Sequence, residues 1–530
     1  MVTGSRPWKG RRVKRWQVVL AGTVLLVVIA GAAAGLWYVR TMEPRLRREL
    51  EVRLSERLNS DVAIESLSVR LYPSVYVEGT GLVLRIKDRA DLPPFVTVRK
   101  FTGTGSLADL RVRRLDEMRL EGAAINVPPG RKRDLQPLRV GAGSAGARRD
   151  SRAPLVSRLV ADAVTITVLP RDADRDPVVW DVRELEVRDF SLDAVSPFSA
   201  TVDTPLPADR AKVSGTAGPW PRGDFGNLPM TGQFTFDGDL AAIAGMDGHI
   251  SVSGDVLGTL ERLATTGTAS STRLGLRSGA AGQLPMKAIF DAAFDGTSGD
   301  LYLTRVATTL GGAAFETSGQ VLRKRGVRGR YVSLAVKTPG QVELAELLQL
   351  LIDGRWPPLS GRLAIDARIT IPPGDRDLLE RLTADGTFRV SNARFANAEV
   401  QAKVDDLSRR GQGRPRDLTI ARVGSSMRGR VSIEASRLTL RNVHFEVPGV
   451  AIDAAGGYSL VNERMNFRGV ARLDARMSRT QTGAKRVLLR PLDPLLSKDG
   501  AGTRVVLDIS GTRNAPAVDI DFGASLRGRR

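Results

Sequence analysis

Val431 to Val447 reads VSIEASRLTLRNVHFEV. Val431 and Ile433, then Leu438 and Leu440, then Val443, Phe445 and Val447 each take every second position, and Val505, Leu507 and Ile509 repeat the pattern downstream. Side chains spaced by two share one face of a strand, so this stretch predicts strands that are apolar on one side and wet on the other. Outward from it, Thr231 to Phe236, His249 to Gly254, Leu301 to Val306 and Leu363 to Ile371 alternate in the same way between glycines, as a loose repeat without fixed period. Nearer the N-terminus, Leu67 to Pro73, Val75 to Ile86, Phe95 to Phe101 and Met118 to Val127 read as strands. Val164 to Leu169 and Val178 to Val187 flank the polar tip Pro170 to Pro177, a hairpin signal. Pro44 to Asn59 has helical spacing, and Gln341 to Ile352 is the clearest soluble helix, its leucines forming one apolar side. Gly141 to Ala153 reads as a loop or linker.

A different signal precedes all of this. Val18 to Val39 (VVLAGTVLLVVIAGAAAGLWYV) is an uncharged run long enough to cross a bilayer. Arg6, Lys9, Arg11, Arg12, Lys14 and Arg15 precede it, which places the N-terminus in the cytoplasm and the rest of the chain outside. A cleaved signal peptide is the competing reading, given the small residues from Ala30 to Gly35. The length of the run and the aromatic pair Trp37 and Tyr38 at its far end favour a retained anchor. The 530 residues contain no cysteine, so an exported body has no disulfides to hold it. The net charge of +21 draws the chain toward phosphate-bearing partners, but aromatics are only 5% and are not interleaved with the cations. Stacking platforms for nucleic acid are therefore scarce, and lipid head groups are the expected phosphate.

Three phrases then become recognisable: FRVSNARFANAEVQAKVDDLSRRGQG (Phe388 to Gly413), NVHFEVPGVAIDAAGGYSL (Asn442 to Leu460) and KDGAGTRVVLDISGTRNAP (Lys498 to Pro516). Together they resemble the C-terminal region of AsmA-like envelope proteins. SVRLYPSVYVEGTGLVL (Ser68 to Leu84), PPFVTV (Pro93 to Val98) and VRDFSLDAVSPFSATVDTPLP (Val187 to Pro207), running into GTAGPW (Gly215 to Trp220), are similar to the N-terminal region of the same family. The resemblance implies a relation to chorein-type bridge proteins, in which a long twisted sheet curls into a gutter whose apolar inner face carries lipid tails. It divides the chain into a basic tail (1–17), an anchor (18–39), an N-terminal AsmA-like region (40–220), a middle repetitive region (221–375) and an AsmA-like C-terminal region (376–530). The expected fold is mainly β: a single transmembrane helix, then an elongated, twisted, curled sheet with a few short helices.

Periodicity alone leaves a lipid gutter and a closed sandwich or barrel core unseparated, because both need the same alternation. The resemblance implies that the ten alternating residues quoted first, from Val431 to Ile509, line a lipid groove. In Lys485 to Leu496 (KRVLLRPLDPLL), Leu488, Leu489 and Leu492 are candidates for insertion into a membrane or partner, with Lys485, Arg486 and Arg490 facing phosphates. The plainer reading is a loop over the sheet end.

Motifs for chemistry are weak. GTGSLA (Gly103 to Ala108) with Glu121 matches a loose dinucleotide fingerprint, but further βαβ units are missing, and a turn between strands accounts for it. Asp172, Asp174 and Asp176 alternate as in a calcium loop, yet Pro177 and Arg183 replace the required glycine and glutamate. His249 and His444 are the only histidines, too few for a zinc site without cysteine. GxSxG, HExxH and GxxxxGK[ST] do not occur, and GSSMR (Gly424 to Arg428) lacks the closing glycine. A carboxylate-pair glycan hydrolase stays open, since spatial pairing is invisible in one sequence.

The expectation is a non-enzymatic, cofactor-free protein of a bacterial inner membrane with its bulk in the periplasm. It would bind phospholipids and conduct them between inner and outer membranes in support of outer-membrane biogenesis, with the outer membrane or an envelope protein as further contacts and nucleic acid as none. The alternative is a scaffold for outer-membrane protein insertion that carries no lipid.

Overall fold

The computed structural model describes residues 47–128 and 155–475, apart from short interruptions, together with 503–521. Strands account for 67% of the structure and helices are few, which places the chain in the mainly-β class. Among the described residues no helix is long and apolar enough to cross a membrane; the expected anchor, residues 18–39, lies outside them. The residues fall into two compact units, one within Met1–Asn126 and Ala153–Val164, the other within Val127–Arg152 and Thr165–Arg530.

The smaller unit contains β1 (Ser60–Ala63), β2 (Ser66–Arg70), β3 (Val75–Ile86), β4 (Val96–Gly105), β5 (Leu115–Val127) and most of β6 (Val156–Val168). β3 is long enough to carry β1 and β2 end to end along one edge and β4 along the other, with β5 beyond, all antiparallel. Val75, Val98, Phe101 and Ala123 are buried in it. Helical residues between 47 and 55, part of the expected helix at 44–59, are tied to this sheet. Glu51 accepts from the Ile64 amide at 3.0 Å and Ser55 Oγ from the Val62 amide at 3.1 Å.

The larger unit is a long antiparallel meander. Its strands are β7 (Val178–Phe190), β8 (Ser196–Pro205), β9 (Ala208–Ala217), β10 (Pro229–Asp239), β11 (Met246–Asp247), β12 (His249–Thr259), β13 (Arg262–Leu276), β14 (Leu284–Asp295), β15 (Asp300–Leu310), β16 (Ala313–Leu322) and β17 (Tyr331–Lys337). There follow β18 (Val342–Glu343), β19 (Leu359–Ile371), β20 (Thr383–Phe395), β21 (Ser425–Glu434), β22 (Arg437–Val447), β23 (Val450–Ser459), β24 (Arg464–Leu473), β25 (Thr503–Thr512) and β26 (Pro516–Asp521). From β8 on, each strand pairs with the one before it, except that the two-residue β11 and β18 sit at strand ends, so that β10 pairs directly with β12 and β17 with β19. Such a chain of neighbours is built from tight turns. Ala435 and Ser436 both take positive φ (48° and 58°) between paired Glu434 and Arg437, the geometry of a two-residue hairpin that matches strand twist.

The sheet is strongly curled. Register shifts interrupt the ladders at Val390/Ala393, Arg428/Arg430 and Leu440/Val443, and Asn392 and Asn442 take φ of 53° and 52° there. An extra residue on one strand bends it and raises local twist, so these bulges supply curvature that a flat ladder lacks.

Because the meander runs up and down, strand ends collect on two rims. One rim bears α1 (Leu344–Leu351) and α3 (Ala398–Gly411); the other carries short turns and the four-residue α2 (Leu378–Arg381). The helix expected over Gln341 to Ile352 begins at Leu344, because Val342 and Glu343 pair with Leu363 and Arg362 of β19. α3 was not expected: it forms inside the phrase Phe388 to Gly413, started by Asn397, whose side chain accepts from the amides of Glu399 (2.9 Å) and Val400 (3.1 Å).

Candidate functional site

Residues paired directly across antiparallel strands lie on the same face, so the registers trace rows over the sheet. One row of the larger unit runs Leu185, Ala200, Val213, Phe234, Gly254, Gly267, Phe290, Val306 and Thr317. It continues through Val336, Ala367, Gly386, Val431, Leu440, Gly456 and Phe467 to Ile509. Thr317 is the only polar member, and all but Ala367 keep part of their surface open. The opposite face is charged: Lys337 and Arg305 reach Glu316 (3.1 and 3.3 Å), Arg183 reaches Asp203 (2.7 Å), and His444 and Arg472 both reach Asp453 (2.8 Å).

The floor of the apolar face is levelled by aromatic rings lying over glycines. A Cβ on Gly254 would meet Phe234 at 3.0 Å, one on Gly267 would meet Phe290 at 2.7 Å, and Phe467 covers Gly456 as closely. Glycine is required because a side chain would collide first with a carbonyl oxygen of the neighbouring strand, Thr266, Ser253 and Asn466 respectively, and then with the ring, while the ring shields backbone that glycine leaves bare.

Along the rim that carries α1 and α3, this face is covered. Leu344 of α1 packs with Val342, Leu363, Val390, Ala393 and Ala313, backed by Leu347, Leu348 and Phe315. Val404 and Leu407 of α3 cover Val447, Val450, Ala471 and Leu473. α3 is moored by Asp405, 7% exposed, which accepts from the amides of Arg422 and Val423 (both 2.9 Å) and from Gln401 Nε2 (2.8 Å). Burial pushes its carboxyl up, but the two backbone amides and Gln401 outweigh this and hold it below the usual carboxylate range.

The residues singled out in the sequence divide between these regions. Val431, Ile433, Leu438, Leu440 and Ile509 stand on the open part, half-buried. Val447 belongs to the core under α3, with Phe445, Val505 and Leu507 packed against it, and Val443 is 5% exposed. Leu440 and Val443, an odd number apart, share a face because the bulge at Asn442 absorbs one residue: Leu440 pairs with Gly456 and Val443 with Ala454. Residues 485–496 lie outside the described residues. Gly103 and Gly105 of the loose dinucleotide phrase are ladder positions of β4, opposite Val77 and Val75. Asp176 accepts from the Gly326 amide at 2.6 Å; Asp172 and Asp174 lie outside the described residues. Among the described residues no cluster of metal-ligating side chains occurs. His444 lies on the charged face, 2.8 Å from Asp453.

No family model, curated protein or solved structure matches this chain. The site is therefore read from its own geometry.

What sequence reasoning missed is that the two rims of the larger unit meet. By register, Val182 of β7 shares a row with Val202, Ala211, Phe236, Val252, Ala269, Ala288, Thr308 and Phe315, beside α1. Trp180 is nearer still to that rim, whereas Phe294 of β14 is on the opposite one. The two are six pairing steps apart (β7–β8–β9–β10–β12–β13–β14), about 29 Å on a flat sheet at about 4.8 Å per step. Their rings are nonetheless edge to face at 6.0 Å, and Trp180 Nε1 donates to Gly296 O at 3.3 Å. The turn between β10 and β11 does the same: Gly245 lies against Asp377 and Leu378, at the start of α2 between β19 and β20. Strongly tilted, curled strands produce this offset closure, as the stagger of a barrel does.

Proposed function

We propose that this chain is an AsmA-like, inner-membrane-anchored periplasmic protein that holds phospholipid acyl chains against its apolar face and conducts lipid between the inner and outer membranes. The observation that carries the reading is the half-exposed apolar row from Leu185 to Ile509, flat-floored and continuous across successive strands. A sandwich core would bury such side chains against a second layer, as α1 and α3 bury the strand ends beneath them, whereas in this row only Ala367 is buried. Acyl chains on a face of near-uniform apolarity meet no site that traps them, while the charged opposite face stays in water. Conduction is then passive, with direction set by a gradient or a partner. No covalent chemistry is proposed.

Native mass spectrometry with lipid extraction on the purified protein tests this. Several phospholipids per chain are expected. A folded, lipid-free protein would overturn the reading in favour of a scaffold. Val431→Asp with Leu440→Asp, on the open part of the face, should abolish lipid loading and transfer while the protein stays folded.

A further inference from the structure

The charged face of the larger unit is not charged evenly. Trp180 and Phe294 meet across the apolar face, so that face is the concave one and the charged face is convex. Over β8 to β16 ten acidic side chains stand against six basic ones, whereas over β19 to β24 eleven arginines stand against five acids. The excess centres on Arg389 of β20, Arg428 and Arg430 of β21 and Arg441 of β22, all exposed. Arg428 pairs directly with Arg389, and Arg430 directly with Arg441. Like charges set opposite each other weaken a sheet, so this arrangement costs the fold rather than serving it. Among the described residues none of the four makes an ion pair or a side-chain hydrogen bond. The carboxylates around them do not neutralise them. Glu446 lies 3.9 Å from His444 Nε2, Asp385 and Glu434 reach none of the four, and Asp453 of β23 is taken by His444 and Arg472, each at 2.8 Å.

The four arginines spring from a patch about 10 Å across the strands and about 7 Å along them, so they spread over a surface instead of converging on one point. Thr387, Ser426, Ser432 and Thr439 beside them are short, which leaves the guanidiniums standing proud. No large apolar side chain is exposed on β20, β21 or β22, so the anchors of a protein interface are missing there. We propose that the convex outer face of β20 to β22, through Arg389, Arg428, Arg430 and Arg441, docks on the surface of an anionic phospholipid bilayer. Such a surface offers many separate phosphates in a plane, which a convex face can approach and which guanidiniums bind with paired donors. The same surface repels the acidic outer face of β8 to β16, so the charge distribution turns the C-terminal strands toward the membrane. The docking face is opposite the acyl-chain face. A lipid-free groove would leave this proposal intact, and loss of docking would leave the acyl-chain reading intact.

The test uses the full chain in phosphatidylcholine nanodiscs, mixed with vesicles of phosphatidylcholine alone or with about one-third phosphatidylglycerol, and reads binding by co-flotation. Anionic vesicles should be bound, neutral ones not, and NaCl should release them. Arg428→Gln with Arg430→Gln should weaken binding about 10- to 30-fold. That variant should melt at or above the wild-type temperature, because it relieves both opposed pairs. Lys212→Gln with Lys287→Gln removes the same charge from the acidic strands and should leave binding unchanged. Equal binding by wild type and by the arginine variant overturns the proposal, as does equal binding of neutral and anionic vesicles or an affinity indifferent to salt. An equal loss in the lysine variant overturns it in favour of net charge alone, and capture of polyglutamate with no vesicle bound overturns it in favour of an acidic protein partner. If the double variant does not fold, Arg389→Gln and Arg441→Gln, made separately, take its place under the same criteria.

Discussion

Val390 and Val431 lie on neighbouring strands of the same apolar face, yet one is 2% exposed beneath α1 and the other is half open. The alternation that produces them is the same. What differs is whether the chain supplies a helix to cover the strand end. Period-two patterning therefore specifies a face and not its occupant. The covered strip behaves as protein core, whereas the uncovered strip is apolar surface that the described residues leave unfilled.

The largest expected effect breaks that comparison if it fails. Val390→Asp puts a charge into the core under α1 and should cost about 3–5 kcal/mol, read as a lower urea midpoint, because nothing there can pair with it. Val431→Asp should cost under about 1 kcal/mol by the same measurement while removing bound lipid. Equal losses at both positions would mean that the whole face is one closed core.

Next comes the mooring of α3. Asp405→Ala leaves the amides of Arg422 and Val423 without their acceptor and should cost about 2–4 kcal/mol in a thermal melt. The carboxyl is held low in the folded state, so its contribution is fully present above the unfolded value near 3.9 and is lost as pH falls through the folded value. Acid titration should loosen α3 in the wild type, and Asp405→Asn should lack that step.

A smaller effect probes the open floor. Gly267→Val would press on the Ser253 carbonyl of β12 as well as on Phe290 and should cost about 1–3 kcal/mol, with lipid loading reduced in proportion. The smallest concerns the charged face, where removing the His444 and Asp453 pair through His444→Ala should shift stability by less than about 1 kcal/mol and less again in high salt. A large effect there would mean that the outer face is a packed surface.

The strands were legible because alternation is local: Thr231 to Phe236, His249 to Gly254, Leu301 to Val306 and Leu363 to Ile371 each lie within an observed strand. The grouping of Leu438 and Leu440 with Val443, Phe445 and Val447 was legible as spacing, but the change of parity between Leu440 and Val443 was not explicable until Asn442 was seen in a left-handed conformation. α3 escaped notice because AEVQAKVDDLSRRG is mostly polar and exposes an apolar stripe of only Val400, Val404 and Leu407. The meeting of Trp180 with Gly296 spans 116 residues and depends on accumulated curl, which no local pattern encodes.

The strict nearest-neighbour pairing of the meander has a consequence for how such a chain can lengthen or shorten. An insertion of two strands returns the backbone to the end from which it left, so every later helix and turn keeps its place. An insertion of one strand reverses the direction of all that follow and would carry α3 to the side of α2. Growth in hairpins is therefore conservative and growth in single strands is not. Length in this architecture is quantised in twos, and a version of the protein made to reach farther would differ from this one by an even number of strands.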